Sequence, residues 1–175
     1  MAKKDLLVIE MNNKEDMECF NFREKLKIAQ KPYDYFKEIE NLNFDQLASS
    51  DRIFLQDFGI YNNELNDEEF MLRLRFPAGR ISNNSLLLIS NLAQKYNLQI
   101  ILTARAGIQL HGLDSNNILE VFNQINSQNI SSYQSFGDNI RNITSDIFDG
   151  IGVYNIIEVF PYIEQMQAYI LNHPD

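Results

Sequence analysis

Cysteine is almost missing from this chain: Cys19 is the only one in 175 residues. One thiol excludes an internal disulfide, and it excludes an iron–sulfur cluster or a thiolate zinc site built from this chain alone. Cys19 itself reads as a small apolar residue. Basic side chains are also scarce, 15 Lys and Arg against 24 Asp and Glu, for a net charge of −9. Phosphate backbones are gripped by dense fields of Lys and Arg, so no nucleic-acid partner is expected. Long apolar runs are absent too. Residues 6–10 are too short for a signal-peptide core and nothing approaches a membrane span, so no membrane partner and a cytoplasmic location are expected. The sequons at Asn83, Asn129 and Asn142 then carry no weight.

What is present is ordinary globular material: 45% hydrophobic and 22% charged residues, enough to bury a core, in a length that suits one domain plus a fragment of another. The basic residues are unevenly spread. After Lys95 the only ones are Arg105 and Arg141, each nearly alone in an acidic half. Cations placed so sparsely point to a bound anion. The competing reading is that each arginine pairs with a neighbouring carboxylate.

Residues 1–55 are rich in Lys, Glu and Asp, with apolar positions such as Phe20, Leu26, Tyr35 and Ile39, and read as a helical arm of short helices separated near Pro32. Residues 57–69 carry turn chemistry in Gly59 and Asn62-Asn63. The pattern then changes to strict alternation: Phe70, Leu72, Leu74 and Phe76 share one face, Met71, Arg73 and Arg75 the other, as in a half-buried strand. Pro77 and Gly79 end it. Ser82 is placed to cap a helix with Ile89, Leu92 and Tyr96 on its apolar face and Asn97 at its end. Residues 98–103 and 108–112 read as two further strands. Asp114 introduces a helix in which Ile118, Val121, Phe122 and Ile125 recur at helical spacing. Residues 130–134 then supply a fourth strand.

That order, βαββαβ, predicts an α+β ferredoxin-like sandwich over residues 56–134, preceded by the arm (1–55) and followed by the start of a second domain (135–175). The fold name implies no cluster. In the usual strand order the first and third strands are central neighbours. Arg73, Arg75, Gln109 and His111 would then share one open sheet face, bordered by Arg105. A donor-lined face in an acidic protein is shaped for an anionic ligand or for the next domain.

Other chemistries fit poorly. RNA-recognition domains share the order of elements but stack bases on aromatics, and the outward positions here are Met71, Arg73, Arg75, Gln109 and His111. His111 has no partners at metal-ligand spacing, so no metal site is expected. No serine sits in a nucleophile elbow, and Gly150-Ile151-Gly152 is too short for a phosphate loop and reads as a turn.

Three segments carry a resemblance. They are Phe70-Met71-Leu72-Arg73-Leu74-Arg75-Phe76-Pro77-Ala78-Gly79, Thr103-Ala104-Arg105 leading to Ile108-Gln109-Leu110-His111, and Gly137-Asp138-Asn139-Ile140-Arg141-Asn142. In this order they resemble successive motifs of the nitrite and sulfite reductases. The resemblance implies a sirohaem bridged to a 4Fe-4S cluster, fed by a ferredoxin or a flavoprotein. It implies that Arg105, in the place of the arginine of a Thr-Thr-Arg-Gln motif, and Arg141, in a Gly-Asp-x-x-Arg-Asn motif, are catalytic residues reaching the sirohaem or its oxyanion. Arg73, Arg75, Gln109, His111 and Asn142 follow as cofactor-binding candidates for the tetrapyrrole's carboxylates. A charge pair at about 4 Å is worth roughly 4 kcal/mol at an effective dielectric near 20, so such arginines matter.

Two positions depart from the motifs: Ala106 stands for the family's Gln, and Asp146-Ile147 for a frequent Cys-Pro. Substrate choice between nitrite and sulfite therefore stays open. With no cysteine after Cys19, the cluster ligands belong to a missing C-terminal half, and this chain alone is expected to be inactive. The alternative is a non-catalytic ferredoxin-like module binding a small anion or a protein. A last helix begun by Pro161 places Ile163, Met166 and Ile170 on one stripe, for packing on the sandwich or for a dimer contact.

Overall fold

The computed structural model describes residues 21–30, 32–63, 66–136 and 139–172. Cys19, Phe20, Gly137 and Asp138, which figure in the sequence reading, lie outside them.

Three short helices lead the chain: α1 (Phe22–Ala29), α2 (Pro32–Ile39) and α3 (Ser49–Asp57). Asn21 starts α1 with a capping box, its Oδ1 accepting from the Glu24 amide at 3.0 Å while the Glu24 carboxylate accepts from the Asn21 amide at 2.7 Å. β1 (Ile60–Asn63) and β2 (Asn66–Leu74) follow, then a 3₁₀ turn (Pro77–Gly79), α4 (Asn83–Tyr96), β3 (Gln99–Leu102), β4 (Ile108–Leu113), α5 (Ile118–Ser127) and α6 (Phe160–Asn172). The four strands form one antiparallel sheet in the order β1-β2-β4-β3. The fold is therefore the expected α+β ferredoxin-like one, with β2 and β4 as the central pair.

The alternation along β2 sets the layers. Phe70, Leu72 and Leu74 are each at most 1% exposed and meet Leu110 of β4, Ile89 and Leu92 of α4, and Ile118, Val121, Phe122 and Ile125 of α5. Tyr35, Ile39, Phe54, Leu55 and Phe58 join the same core from the leading helices. Burying a large apolar side chain of this kind contributes about 1.5–3 kcal/mol, so the period-2 and period-3.6 stripes together fix which faces meet. The helix ends also follow their signals. Ser82 Oγ accepts from the Ser85 amide at 3.1 Å, and Asn97 closes α4 in the left-handed region, φ 54°. Asp114 acts one turn before α5, its Oδ1 accepting from the amides of Asn116 and Asn117 at 2.9 and 3.0 Å.

The fourth strand is a correction. Residues 130–134 form no strand, and the edge beside β2 is taken by β1, from the segment expected to be turns. Ile60 and Tyr61 pair with Leu72 and Met71 in a hairpin, and Asn62 Nδ2 donates to the Glu69 carbonyl at 3.3 Å. With that edge filled, residues 131–135 cross the end of the hairpin instead of extending it. The Arg75 amide donates to Ser131 O at 2.8 Å, and Ser135 Oγ donates to Arg73 O at 2.8 Å. Gly59, φ 79°, makes room: a Cβ there would stand 2.6 Å from the carbonyl oxygens of Arg73 and Ser132.

α6 packs back onto the 3₁₀ turn. Asp149 caps it, its two carboxylate oxygens accepting from the amides of Val159 and Phe160 at 2.7 and 2.9 Å. Arg80 pairs with Asp149 at 3.4 Å and lies 4.0 Å over the Phe160 ring. The stripe differs from expectation: Ile163 and Gln167 are buried, whereas Met166 is 55% exposed. Gln167 faces inward because a buried cation needs its oxygen, as described below.

Tyr35 links the leading helices. Its ring stacks on Phe54 at 4.7 Å, and its hydroxyl donates to Asp51 Oδ1 at 2.6 Å. Burial, then the Asp51 carboxylate, raises the phenol above its ordinary value of 10. The folded state thus keeps this proton where the unfolded chain loses it, so the contribution is complete below pH 10 and is lost as pH rises above it. In urea melts from pH 8 to 11, Tyr35→Phe should be about 1 kcal/mol less stable at neutral pH and fall less steeply above pH 10. Identical slopes would rule out this linkage.

Candidate functional site

The face of the sheet opposite the core carries Arg73, Gln109 and His111 side by side, because Arg73 pairs with Gln109 and Met71 with His111 in the β2–β4 ladder. Arg73 lies with its Cζ 4.7 Å over the Phe136 ring. The Gln109 amide is best satisfied with its oxygen accepting from Arg73 Nε at 2.9 Å and its nitrogen donating to His111 Nε2 at 3.1 Å. That network makes His111 Nε2 an acceptor and assigns the ring proton to Nδ1.

Arg141 approaches the same aromatic ring, its Cζ 5.7 Å from the Phe136 centroid. Arg105 comes from the β3–β4 turn. Thr103 shapes that turn, its amide donating to Gly107 O at 2.9 Å, its carbonyl accepting from the Ala106 amide at 3.0 Å, and its Oγ1 accepting from the Gly107 amide at 3.1 Å. Ala106 sits at φ 55°, and a Cβ on Gly79 would meet the Ala106 Cβ at 2.8 Å. The 3₁₀ turn and the arginine turn are therefore in direct contact.

Arg73, Arg105 and Arg141 all line one cavity of about 200 Å³, with Leu74, Thr103, Ser135 and Asn142 among its walls and no acidic residue among the described residues of its lining. Burial, then the positive charges of Arg141 and Arg105, lowers the Arg73 guanidinium below its ordinary range. Three cations thus face one another across a small concavity. A second concavity of about 320 Å³ continues along the sheet, lined by Tyr61, Glu69, Met71, Gln109, His111 and Phe136.

Two of the sequence candidates stand elsewhere. Arg75 was expected on the open face, and it is 2% exposed. Its Nε donates to Gln167 Oε1 at 2.8 Å, its Nη1 to the carbonyls of Ile140 at 2.8 Å and Gln134 at 3.4 Å, and its Nη2 to the Arg141 carbonyl at 2.9 Å. All four acceptors are neutral oxygens, so the charge is balanced by dipoles. Burial pushes this guanidinium down to about 10, which leaves it cationic at neutral pH. Arg75 follows β2 directly, and Gln134, Ile140, Arg141 and α6 cover that end of the strand. Asn142 Nδ2 likewise donates to backbone, to Phe76 O at 2.6 Å, Arg105 O at 2.8 Å and Ala106 O at 3.5 Å.

Sequence reasoning missed Phe136 and Ser135. Phe136 is the ring that Arg73 and Arg141 share, and its serine-rich, turn-like surroundings gave no periodic signal for it. No group of three or more His, Cys, Asp or Glu suited to a metal ion occurs among the described residues, and none of their helices is long and apolar enough to cross a membrane.

The fold and the face together define a ferredoxin-like sheet with an arginine-lined concavity on its open side. Residues 63–128 match the family described as the nitrite/sulfite reductase ferredoxin-like half domain. It is 27% identical over 158 residues to a ferredoxin–nitrite reductase of Leptolyngbya laminosa, covering 86% of this chain and 31% of that protein. It is 33% identical over 97 residues to the sulfite reductase [NADPH] hemoprotein beta-component of a Paenibacillus species, covering 51% of this chain and 17% of that protein. A solved structure, the NirA protein of Mycobacterium tuberculosis, shares the fold with a TM-score of 0.74 at 19% identity, over 87% of this chain and 32% of the other. The chain spans about a third of the length of the nitrite reductases it matches.

The buried arginine gives a direct test of the scaffold. Arg75→Lys keeps a charge but loses the planar fork and leaves buried carbonyls without donors, so the urea midpoint should fall by the equivalent of about 2–4 kcal/mol. Proteolysis after Arg141, whose carbonyl the guanidinium holds, should quicken at the same time. A variant with native stability and native cleavage would show that the guanidinium does not hold this segment.

Proposed function

We propose that the chain is the N-terminal part of a sirohaem-dependent nitrite or sulfite reductase of the cytoplasm, inactive by itself, in which Arg105 and Arg141 meet the oxyanion and the tetrapyrrole carboxylates. The observation that carries this reading is the gathering of three arginines on one cavity, with no acidic residue among its described lining residues, in a chain of net charge −9. Cations gathered in this way favour an anionic ligand. A many-carboxylate tetrapyrrole fits that donor set, with Arg73, Gln109 and His111 lining the sheet beside it. When bound, the sirohaem and its 4Fe-4S cluster supply electrons to the oxyanion's central atom. This chain's arginines hold and orient the anion and offset the charge that develops on its oxygens.

The cluster's thiolates come from outside this chain, which has Cys19 alone. The partners are accordingly the rest of the reductase, and a ferredoxin or flavoprotein as donor. Support for a larger assembly comes from the apolar surface after the site: Ile147, Ile151, Val153, Tyr154 and Ile156 are 78–101% exposed. A dimer through α6 would use Tyr162, Met166 and Tyr169, the exposed side of that helix.

The second reading, a module for a small anion alone, is favoured by the modest 200 Å³ of the arginine cavity. Titration separates the two. The chain should bind uroporphyrin, an octacarboxylate tetrapyrrole, saturably and with strong salt dependence, and bind inorganic phosphate far more weakly. Charge-assisted contacts are worth about 1.5–3 kcal/mol each, so Arg105→Ala and Arg141→Ala should each weaken uroporphyrin binding at least tenfold while leaving the melting temperature nearly unchanged. Equal affinity for phosphate would support the small-anion module. Loss of melting temperature in step with affinity would make both arginines structural.

A further inference from the structure

Asn142 follows Arg141 directly, yet its side chain is tied to the other arginine's turn. Its Nδ2 lies 2.6 Å from Phe76 O and 2.8 Å from Arg105 O, with Ala106 O at 3.5 Å. One residue further on, the Ile143 carbonyl accepts from the Ala78 amide at 2.8 Å. Residues 142–143 therefore stitch three segments together: the end of β2, the 3₁₀ turn and the Arg105 turn. The amide's orientation is fixed, because an oxygen turned toward three carbonyls would be repelled by all of them. Its Oδ1 is buried and has no partner among the described residues. A side chain whose donors are engaged by backbone, and whose remaining atom is an acceptor, is poorly suited to bind a carboxylate.

We propose that Asn142 is a positioning residue that locks Arg105 and Arg141 into one frame, so that the two guanidinium groups meet an anion as a single unit. The proposal rests on the reading that these arginines face the ligand. It assigns Asn142 a different task from the ligand role that the family resemblance implies. Arg75 completes the frame from the other side, since its Nη2 holds the Arg141 carbonyl at 2.9 Å. Arg141 is thus gripped at its own carbonyl by β2, and the residue after it grips Arg105. Neither arginine's backbone can shift without breaking one of these hydrogen bonds.

A double-mutant cycle on the full chain tests this, with uroporphyrin as the probe. Asn142→Ala should weaken binding about tenfold, the effect of losing roughly one buried hydrogen bond's worth of ordering. In the Arg105→Ala background the same change should weaken it much less, because the residue acts through Arg105. Fully additive losses would mean that Asn142 touches the ligand itself, and would overturn the proposal. Amide exchange supplies a readout independent of any ligand. In Asn142→Ala the Ala106 and Gly107 amides should exchange about tenfold faster, while the Leu72 and Leu110 amides in the central strands keep their native rates. Unchanged exchange at 106 and 107 overturns the proposal even if binding falls. Failure of the unmodified chain to bind uroporphyrin counts against the functional reading instead, and the exchange rates still decide the role of Asn142.

Discussion

The buried guanidinium of Arg75 is the constraint on which the site depends. It is planar, always charged at neutral pH, and surrounded by the carbonyls of Gln134, Ile140 and Arg141 and the amide oxygen of Gln167. A charge removed from water needs all its hydrogens answered, and here the answer is backbone from a segment with no regular secondary structure. The hydrogen bonds offset part of the cost of burying the cation, and in forming they order that segment. Gln134, Ile140 and Arg141 turn their carbonyls to the arginine, Gln167 brings α6 against it, and Arg141 and Phe136 are delivered to the sheet face as a result. The cation that holds the site together is thus not one of those the site presents.

Much of this was legible in the residues. The alternation of Phe70, Leu72 and Leu74 gave the buried face of β2, and the spacing of Ile118, Val121, Phe122 and Ile125 gave the buried face of α5, since both periods are local consequences of backbone geometry. Ser82 and Asn97 marked the ends of α4 through capping chemistry that needs no tertiary information. The antiparallel partnership of β2 and β4 followed from the order of elements, and with it the juxtaposition of Arg73 and Gln109. The isolation of Arg105 and Arg141 among acidic residues was likewise visible along the chain.

What was not legible depended on contacts distant in sequence. Alternation says on which side of a strand a residue lies, and not what covers it; Arg75 is buried by Gln167, which is 92 positions away. The edge strand was misread for a related reason. Asn62 and Asn63 look like turn residues, yet Asn62 serves the hairpin by bonding the Glu69 carbonyl across it. Residues 130–134 have a strand-like composition but meet an edge already occupied. The inward turn of α6 was settled by the polar Gln167 and not by the apolar Met166, an outcome that hydrophobic periodicity cannot anticipate.

The contact between the 3₁₀ turn and the arginine turn bears on how this sequence can change. Position 79 is confined to glycine by the Ala106 methyl, at 2.8 Å from where a Cβ would stand, and by a φ of 73°. A larger side chain at position 106 keeps its Cβ where the methyl stands and can extend outward from it, whereas any side chain at position 79 forces the two loops apart. Tolerance to change in this corner is therefore one-sided: the loop that carries the cation can take a longer side chain, and its neighbour cannot take even a Cβ.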